Sequence, residues 1–248
     1  MPTPTAAVLV IGSEVLSAKV RDENGPWLAS RLRDLGVQLL SIRTLPDRTD
    51  AIVEALDAER RRADWVFTCG GVGPTHDDLT LPAVALALGR PLQRSEAFAE
   101  ALRAMHRRHG GSQDLPEAAL RMADLPAGAR LLGDPRFPTL AVENVVMLPG
   151  VPEFLRMQFE RIASELRGSP FRLANLYLAL GEDRLAPLLD RVAQDHPQVE
   201  IGSYPRFDDA DHRVRVTLEG KDQARVRAAL EAVLALLPPG ALVRADGP

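Results

Sequence analysis

The chain has 248 residues, of which 46% are hydrophobic and 26% are charged, and its formal net charge is −4. This composition is typical of a globular protein with enough apolar material for one large or two modest cores. A net negative chain with 4% aromatic residues and no basic stripe argues against nucleic-acid binding.

No apolar run approaches the roughly 20 residues that a membrane span needs, so we expect no membrane association. The first residues carry no basic segment followed by an apolar core, so we expect no secretion signal. The single cysteine, Cys69, excludes an intrachain disulfide. These features together predict a cytoplasmic protein.

The first part of the chain alternates short apolar runs with segments of helical periodicity. Strands are predicted at 6–12, 37–45 and 64–71, and helices at 24–36, 47–63 and 79–89, with Gly36 as a helix C-cap. This order predicts an α/β domain over residues 1–168, with a mostly parallel sheet between two layers of helices.

The later part of this domain is less regular. Residues 95–128 have a polar helical pattern, and 139–152 have the pattern of paired short strands. An amphipathic helix is predicted at 151–168, with these apolar residues facing inward: Phe154, Leu155, Phe159, Ile162 and Leu166.

The segment RGSPF at 167–171 marks a predicted domain boundary. Beyond it, strands are predicted at 172–180, 198–204, 212–218 and 241–244, and helices at 182–195 and 221–237. This βαββαβ order predicts a small α+β, ferredoxin-like domain over residues 169–248.

The segment TCGGVGPTHDDLT at 68–80 joins the third predicted strand to the next helix. In open α/β sheets, ligands bind at the carboxyl ends of the strands, where this turn falls. Glycines let the backbone approach a ligand closely, and the following helix directs free N–H groups to the same place. The turn therefore suits a phosphate group.

Asp77 and Asp78 beside a phosphate would repel it unless a divalent cation lies between them. Mg²⁺ and similar ions bind carboxylate and phosphate oxygens together, which predicts a metal-bridged phosphate or pyrophosphate. The alternative is a tight turn without a ligand, whose two aspartates cap the next helix.

The same segment resembles the T-x-G-G-x-G-P-T-x-D-D-x-T signature of the molybdenum-cofactor biosynthesis, or molybdopterin-binding, domain family. Three further segments agree in order: IGSEVLSAKVRDEN (11–24), LPDRTDAI (45–52) and MLPGVPEFLRMQF (147–159). GEDRLAPLLDRV (181–192) and VEIGSYP (199–205) resemble the small second domain of the competence/damage-inducible protein A branch, which includes part of some FAD synthases.

The resemblance implies a nucleotide or pterin ligand, a divalent cation (Mg²⁺, Mn²⁺ or Co²⁺) and a homo-oligomer. It implies a metal-dependent pyrophosphatase acting on FAD, ADP-ribose or a related dinucleotide. The alternatives are molybdopterin binding with adenylyl transfer, and a nucleotide-binding module without catalysis.

Matching positions assign roles by resemblance. Asp78, Asp77 and Asp47 are the implied catalytic residues, and Asp77 and Asp78 the implied metal ligands. The implied ligand-binding residues are Gly70, Gly71, Gly73, Thr75, Thr80, Glu14 and Asn24.

Two departures from the family pattern affect the predicted pocket. Pro82 stands where the family usually has glutamate, and the segment 117–148 lacks the family's usual sequence. This segment is expected to line the far end of the ligand.

Other candidate residues have simpler interpretations. His76 is expected to be an exposed loop residue, and Cys69 a small buried side chain. His106 and His109 have metal-ligand spacing, but without a neighbouring carboxylate we expect an exposed helix end. DDADH at 208–212 is expected to be a solvated hairpin turn.

Overall fold

The computed structural model of the protein describes residues 3–108, 110–111, 114–206 and 211–247. The chain divides into two compact units, Met1–Gly168 and Ser169–Pro248.

The first unit is an α/β domain whose elements alternate along much of the chain. In chain order they are β1 (Thr5–Ile11), α1 (Ser13–Leu16), α2 (Asn24–Asp34), β2 (Gln38–Leu45), α3 (Thr49–Glu59), β3 (Trp65–Cys69), α4 (Thr80–Ala87), β4 (Leu92–Arg94), α5 (Glu96–Arg108), α6 (Glu117–Leu120), β5 (Asp124–Pro126), β6 (Arg130–Leu132), β7 (Thr139–Val142), β8 (Val145–Leu148) and α7 (Pro152–Ile162). As predicted, α2 ends before a glycine with positive φ, Gly36.

Six strands form the main sheet in the order β2-β1-β3-β8-β7-β6. β2, β1, β3 and β8 are parallel neighbours, and β7 and β6 continue the sheet in antiparallel fashion. The carboxyl ends of the four parallel strands therefore meet at one edge, where open α/β sheets bind ligands.

Both faces of the sheet are buried along its inner strands. Along β1, alternate residues enter two separate cores because successive side chains of a strand point to opposite faces. Leu9 packs with the core that contains Ile52 and Leu56 of α3, and Val8 packs with the core that contains Phe159 of α7. This arrangement confirms the predicted sheet between two helical layers and is typical of parallel sheets.

The prediction of helix across 95–128 was wrong near its end. α5 ends at Arg108, and β5 (Asp124–Pro126) pairs with β4 in a small antiparallel ladder. Leu125 is buried against the core and Arg94 forms an ion pair with Asp124. These contacts between distant segments, rather than local periodicity, determine that residues 124–126 form a strand.

The prediction that Phe154 faces inward was also wrong. Leu155, Phe159 and Ile162 repeat along one stripe of α7 and are buried, whereas Phe154 is 48% exposed. Phe154 precedes that stripe in the first helical turn, at the edge of the sheet where the strands end. The helical periodicity alone does not show how far along α7 the sheet extends to cover its apolar side chains.

The second unit has the predicted βαββαβ order. Its elements are β9 (Arg172–Leu178), α8 (Glu182–Asp195), β10 (Glu200–Pro205), β11 (Val214–Gly220), α9 (Gln223–Leu236) and β12 (Leu242–Asp246). The strands form an antiparallel sheet in the order β10-β11-β9-β12. Alternate residues of β9 and β11 pack against the two helices, which gives this unit its own core.

Membrane-spanning character is absent from the helices in the described ranges, since none combines sufficient length with sufficient apolar character.

Candidate functional site

The glycine-rich turn follows β3 and ends at the start of α4. Gly70 and Gly71 have φ values of +100° and +66°, in the left-handed region that favours glycine. A Cβ on Gly70 would lie 2.3 Å from the carbonyl oxygen of Ile11, and one on Gly71 would lie 2.5 Å from Oγ1 of Thr80. These two glycines are therefore required by close packing of the protein itself.

Asp78 closes the turn. Its Oδ1 accepts a hydrogen bond from the N–H of Gly73 at 2.8 Å, and its Oδ2 accepts one from the N–H of Thr75 at 2.7 Å. The Thr75 hydroxyl also donates to Oδ2 of Asp78. α4 starts at Thr80 without a side-chain cap, so neither aspartate caps this helix. Asp78 stabilises the loop, and the lone pairs that these bonds leave free remain available to a cation.

Asp77 is the more accessible of the two carboxylates, with a side chain 59% exposed. Hydrogen bonding by the Thr75 hydroxyl, the main cause, holds the pKa of Asp77 below its ordinary value. Thr75 has a single hydroxyl proton, which it can donate to only one of the two aspartates at a time. Thr75, Asp77 and Asp78 therefore form one hydrogen-bonded group. His76 is 97% exposed and lies 3.9 Å from Asp77, which confirms it as an exposed loop residue.

A cleft of about 620 Å³ lies over this turn, within the size range of small-molecule sites. The predicted residues that line it are Glu14, Asp47, Gly70, Gly71, Gly73, Thr75, Asp77 and Asp78. They come from the segments that follow β1, β2 and β3. The sheet topology therefore brings residues from three distant parts of the sequence to one place.

Asp47 has a defined position in this cleft. Its Oδ2 accepts a hydrogen bond from the N–H of Ser13 at 2.7 Å, while its own N–H donates to Oγ of Ser13 at 3.1 Å. This reciprocal pair holds the β2 exit against the start of α1, beside Glu14. Asp47 is thereby oriented by the backbone of a neighbouring segment.

Two predicted residues do not line the cleft. Thr80 is fully buried and donates its hydroxyl proton to the carbonyl of Gly70 at 2.7 Å. Asn24 lines an adjacent cavity and donates from Nδ2 to the carbonyl of Gly150 at 2.7 Å. Both residues hold the backbone segments that form the cleft floor.

The charge of the cleft is one-sided. Glu14, Asp47, Asp77 and Asp78 line it, and no lysine or arginine is present among the described lining residues. The amide N–H groups of Gly71 and Val72, which also line it, have no hydrogen-bond acceptor in the described part of the chain. The cleft thus combines four carboxylates with backbone donors.

The carboxylates are oxygen donors of the kind that Mg²⁺ and Mn²⁺ prefer. Within the described ranges, no group of three or more histidine, cysteine, aspartate or glutamate side chains is close enough to hold an ion alone. A cation at Asp77 and Asp78 would therefore complete its coordination with water and ligand oxygens, which is the usual arrangement for Mg²⁺ and phosphates.

The two departures from the family pattern have different structural consequences. Pro82 lies in the first turn of α4, where its missing N–H removes no intrahelical hydrogen bond. Within the altered segment 117–148, Met122 and Phe137 line the cleft. This segment therefore contributes two apolar side chains to the lining of the site.

Several lining residues were not individually predicted from the sequence, although two of them fall within the segment 117–148 that was expected to line the ligand. They contribute either an apolar side chain or only backbone atoms to the cleft. The apolar side chains among them include Met105, Met122, Phe137, Val151 and Phe154. No local motif distinguishes them from core residues. Their exposure beside the cleft is the only signal, and it depends on the tertiary structure.

Among the described residues, the remaining candidate ligands do not form a second metal site. His106 is half-buried on α5, and His109 lies outside the described residues. Asp208 and Asp209 also lie outside them. His212 is 7% exposed and packs edge-on against Tyr177 at 4.9 Å, so the expectation of a solvated turn was wrong for this residue.

Cys69 is expected to be chemically inert in the folded protein. It is 1% exposed, and burial, the main cause, raises the pKa of its thiol far above the ordinary value. Since the thiolate is the reactive form, a thiol reagent such as Ellman's reagent should react with Cys69 only after unfolding. Rapid reaction with the native protein, compared with the denatured protein as control, would contradict this expectation.

Comparisons with known protein families give a separate match for each of the two units. Residues 7–168 match a probable molybdopterin binding domain, and residues 170–246 match the FAD synthase middle domain. A protein of Aeropyrum pernix is 34% identical over 248 residues, which cover 94% of this chain and 91% of the relative.

A probable FAD synthase of Caenorhabditis elegans is 32% identical over 258 residues, which cover 94% of this chain but 50% of that protein. Among solved structures, the protein CinA from Thermoplasma acidophilum, described as of unknown function, has a TM-score of 0.59 at 28% identity. That match covers 66% of this chain and 98% of the other. The match over 7–168 and the relative of nearly full length confirm the resemblance, and the chain belongs to the molybdopterin-binding domain family, followed by a domain of the FAD synthase middle type.

Proposed function

We propose that this protein is a divalent-metal-dependent pyrophosphatase that hydrolyses FAD, ADP-ribose or a related dinucleotide. The observation that carries the proposal is the charge of the cleft, which presents four carboxylates and backbone N–H donors but no basic side chain among its described residues. A pyrophosphate carries two negative charges, so binding beside these carboxylates requires a cation between them.

The reaction consumes one water. The water oxygen attacks one phosphorus of the anhydride, the bond from that phosphorus to the bridging oxygen breaks, and FAD yields FMN and AMP. A bound divalent cation supplies charge neutralisation on the phosphate oxygens. The N–H groups of Gly71 and Val72 are placed to donate hydrogen bonds to the non-bridging oxygens, as donors arranged before the reaction.

The carboxylates divide between two tasks. Asp77 has a lowered pKa and is therefore a weak base, which suits it to holding the cation rather than to taking a proton. Asp78 supports the same position from the closed turn. Asp47, held by Ser13 on the opposite segment, is the candidate acceptor for the proton of the attacking water.

Similarity to proteins of flavin metabolism supports FAD as the first substrate to test. The second unit matches the FAD synthase middle domain, and the C. elegans relative is a probable FAD synthase. This chain spans half of that relative, so the proposal concerns hydrolysis in the cleft and not FAD synthesis.

The test is incubation of the full chain with FAD or ADP-ribose and Mg²⁺, Mn²⁺ or Co²⁺, followed by chromatography of the nucleotides. We expect AMP to form with at least one cation and to stop forming when EDTA is added, because the carboxylates repel an uncompensated pyrophosphate. Absence of AMP with all three cations, or AMP formation unaffected by EDTA, would overturn the proposal.

Molybdopterin binding with adenylyl transfer is the second candidate. It is favoured by one observation, the match of residues 7–168 to a probable molybdopterin binding domain. Transfer of AMP from ATP to a pterin phosphate, with no hydrolysis of FAD, would establish this alternative. Tight nucleotide binding without turnover would instead support a non-catalytic module.

A further inference from the structure

Two phenylalanines, one exposed and one half-buried, form a pair at the rim of the cleft. Phe154 in the first turn of α7 and Phe137 before β7 pack edge to face, with ring centroids 5.6 Å apart and planes at 60°. Both rings line the cleft, and Phe154 is 48% exposed. An aromatic ring left half-exposed beside a binding cleft offers a surface on which a planar ring can stack.

An apolar recess of about 70 Å³ opens beside this pair. It shares Val72, Met105, Met122, Phe137 and Pro149 with the cleft, so the two spaces are continuous. The four carboxylates of the cleft do not line the recess. A ligand whose phosphates lie beside the carboxylates can therefore extend its other end into an apolar region.

Only two of the described residues lining the recess have polar side chains, Arg136 and Gln158. Arg136 is paired with Asp134 at 2.8 Å and is 74% exposed. Gln158 is buried and donates from Nε2 to the carbonyl of Pro138 at 3.3 Å. Each of these two side chains therefore already has a polar partner in the protein, and the other residues that line the recess are apolar.

The apolar lining of the recess favours some planar rings over others. Purines and pterins carry nitrogen and oxygen atoms around their edges, and burial without partners is unfavourable for these atoms. A flavin has one polar end and one benzenoid end that carries two methyl groups. The methylated end can enter an apolar recess without losing hydrogen bonds to water, and methionines adapt readily to its shape.

We propose that Phe154 and Phe137, with Met105 and Met122, form a seat for the isoalloxazine ring of a flavin nucleotide, whose methylated edge enters the recess. This seat names the substrate class within the proposed function, on which it rests, and selects FAD over ADP-ribose. Phe154 supplies the stacking surface and the two methionines supply the apolar edge.

The experiment uses riboflavin, which has the ring but no phosphate, and follows its fluorescence as the full chain is added without metal. Phe154→Ala should weaken riboflavin binding about tenfold, the size of one lost stacking contact. Phe154→Tyr should bind as the wild type does, since it keeps the ring. Met157→Ala is the matched control, because Met157 is exposed on the same helix but lines neither space.

A second variant tests the recess without removing the aromatic surface. Met105→Gln keeps the length of the side chain but places an amide against the methylated edge, so riboflavin binding should weaken while adenosine binding stays unchanged. In the wild type, adenosine should compete with riboflavin only weakly.

The outcomes separate this inference from the proposed function. If riboflavin does not bind, or if Phe154→Ala binds as Met157→Ala does, the seat is refuted even when FAD is hydrolysed. If adenosine competes as strongly as riboflavin, the flavin preference is refuted. If riboflavin binds with the expected variant pattern but no AMP forms from FAD, the seat stands and the hydrolysis proposal falls.

Discussion

Replacement of Asp77 by asparagine is expected to lower metal-dependent hydrolysis of FAD by at least about 100-fold, the scale of losing a directly acting catalytic group. The substitution removes the negative charge that would hold the cation but keeps the shape of the side chain. Asp77 is exposed, and its carboxylate accepts hydrogen bonds only from the Thr75 hydroxyl and its own N–H among the described groups, so the free energy of unfolding should change little. Initial rates across a range of metal concentrations measure the effect.

Asp78→Asn should reduce the same rate but should also destabilise the turn. Both carboxylate oxygens of Asp78 accept N–H donors, from Gly73 and Thr75. An asparagine has one oxygen and would direct its NH₂ group at the second donor. The lost hydrogen bond costs about 0.5–1.5 kcal/mol, because this position is only partly buried. Thermal denaturation of the two variants distinguishes this combined effect from the effect of Asp77→Asn.

Asp34→Asn is the matched control for both substitutions, because Asp34 is exposed at the end of α2 and lies outside the cleft. It should leave the rate unchanged. If Asp77→Asn and Asp78→Asn both hydrolyse FAD as Asp34→Asn does, these carboxylates do not hold the cation. If only Asp78→Asn is impaired and its stability is normal, Asp78 is the principal ligand.

Substitution of Gly70 by alanine is expected to lower the free energy of unfolding of the first unit by roughly 2–5 kcal/mol. Part of this is the strain of a left-handed backbone, about 1–2 kcal/mol, and the rest is overpacking, about 1–3 kcal/mol. The new Cβ would lie 2.3 Å from the carbonyl oxygen of Ile11. The backbone cannot move away easily, because the N–H of Gly70 is bonded to the carbonyl of Leu148 at 3.0 Å.

Gly89→Ala provides the control for backbone strain alone. Gly89 has a φ of +61°, but a Cβ there would meet no atom within 4 Å, so only the 1–2 kcal/mol of strain is expected. Tryptophan fluorescence during urea unfolding is a suitable measurement, since the two tryptophans, Trp27 and Trp65, both lie in the first unit. Equal stability losses in the two variants would show that the contact with Ile11 relaxes freely.

Much of the fold followed from local patterns in the sequence. The helix predicted at 182–195 is α8, and the predicted strands at 6–12 and 37–45 overlap β1 and β2 closely. Helical periodicity and a glycine after the helix end depend on neighbouring residues, which the sequence shows directly. The strand β5 did not follow, because its pairing partner β4 lies about 30 residues earlier in the chain.

The candidate site was likewise predictable from the sequence only in part. Asp77 and Asp78 are adjacent in sequence and share one turn, so their proximity needed no tertiary information. Asp47 and Glu14 came from a resemblance to a family, and only the parallel sheet places them beside the turn. The roles within the turn were also invisible in the sequence, since Asp78 closes the loop and Thr80 lies buried beneath it.

The sequence by itself determined the order of helices and strands, the glycine-rich turn after β3 and the family to which the chain belongs. These depend on periodicity, on backbone requirements and on a long continuous motif, all of which are local. The tertiary structure alone decided that Phe154 lies at the rim of the cleft and that an apolar recess adjoins four carboxylates. Burial and cavity shape arise from contacts between distant segments, and no window of neighbouring residues contains that information.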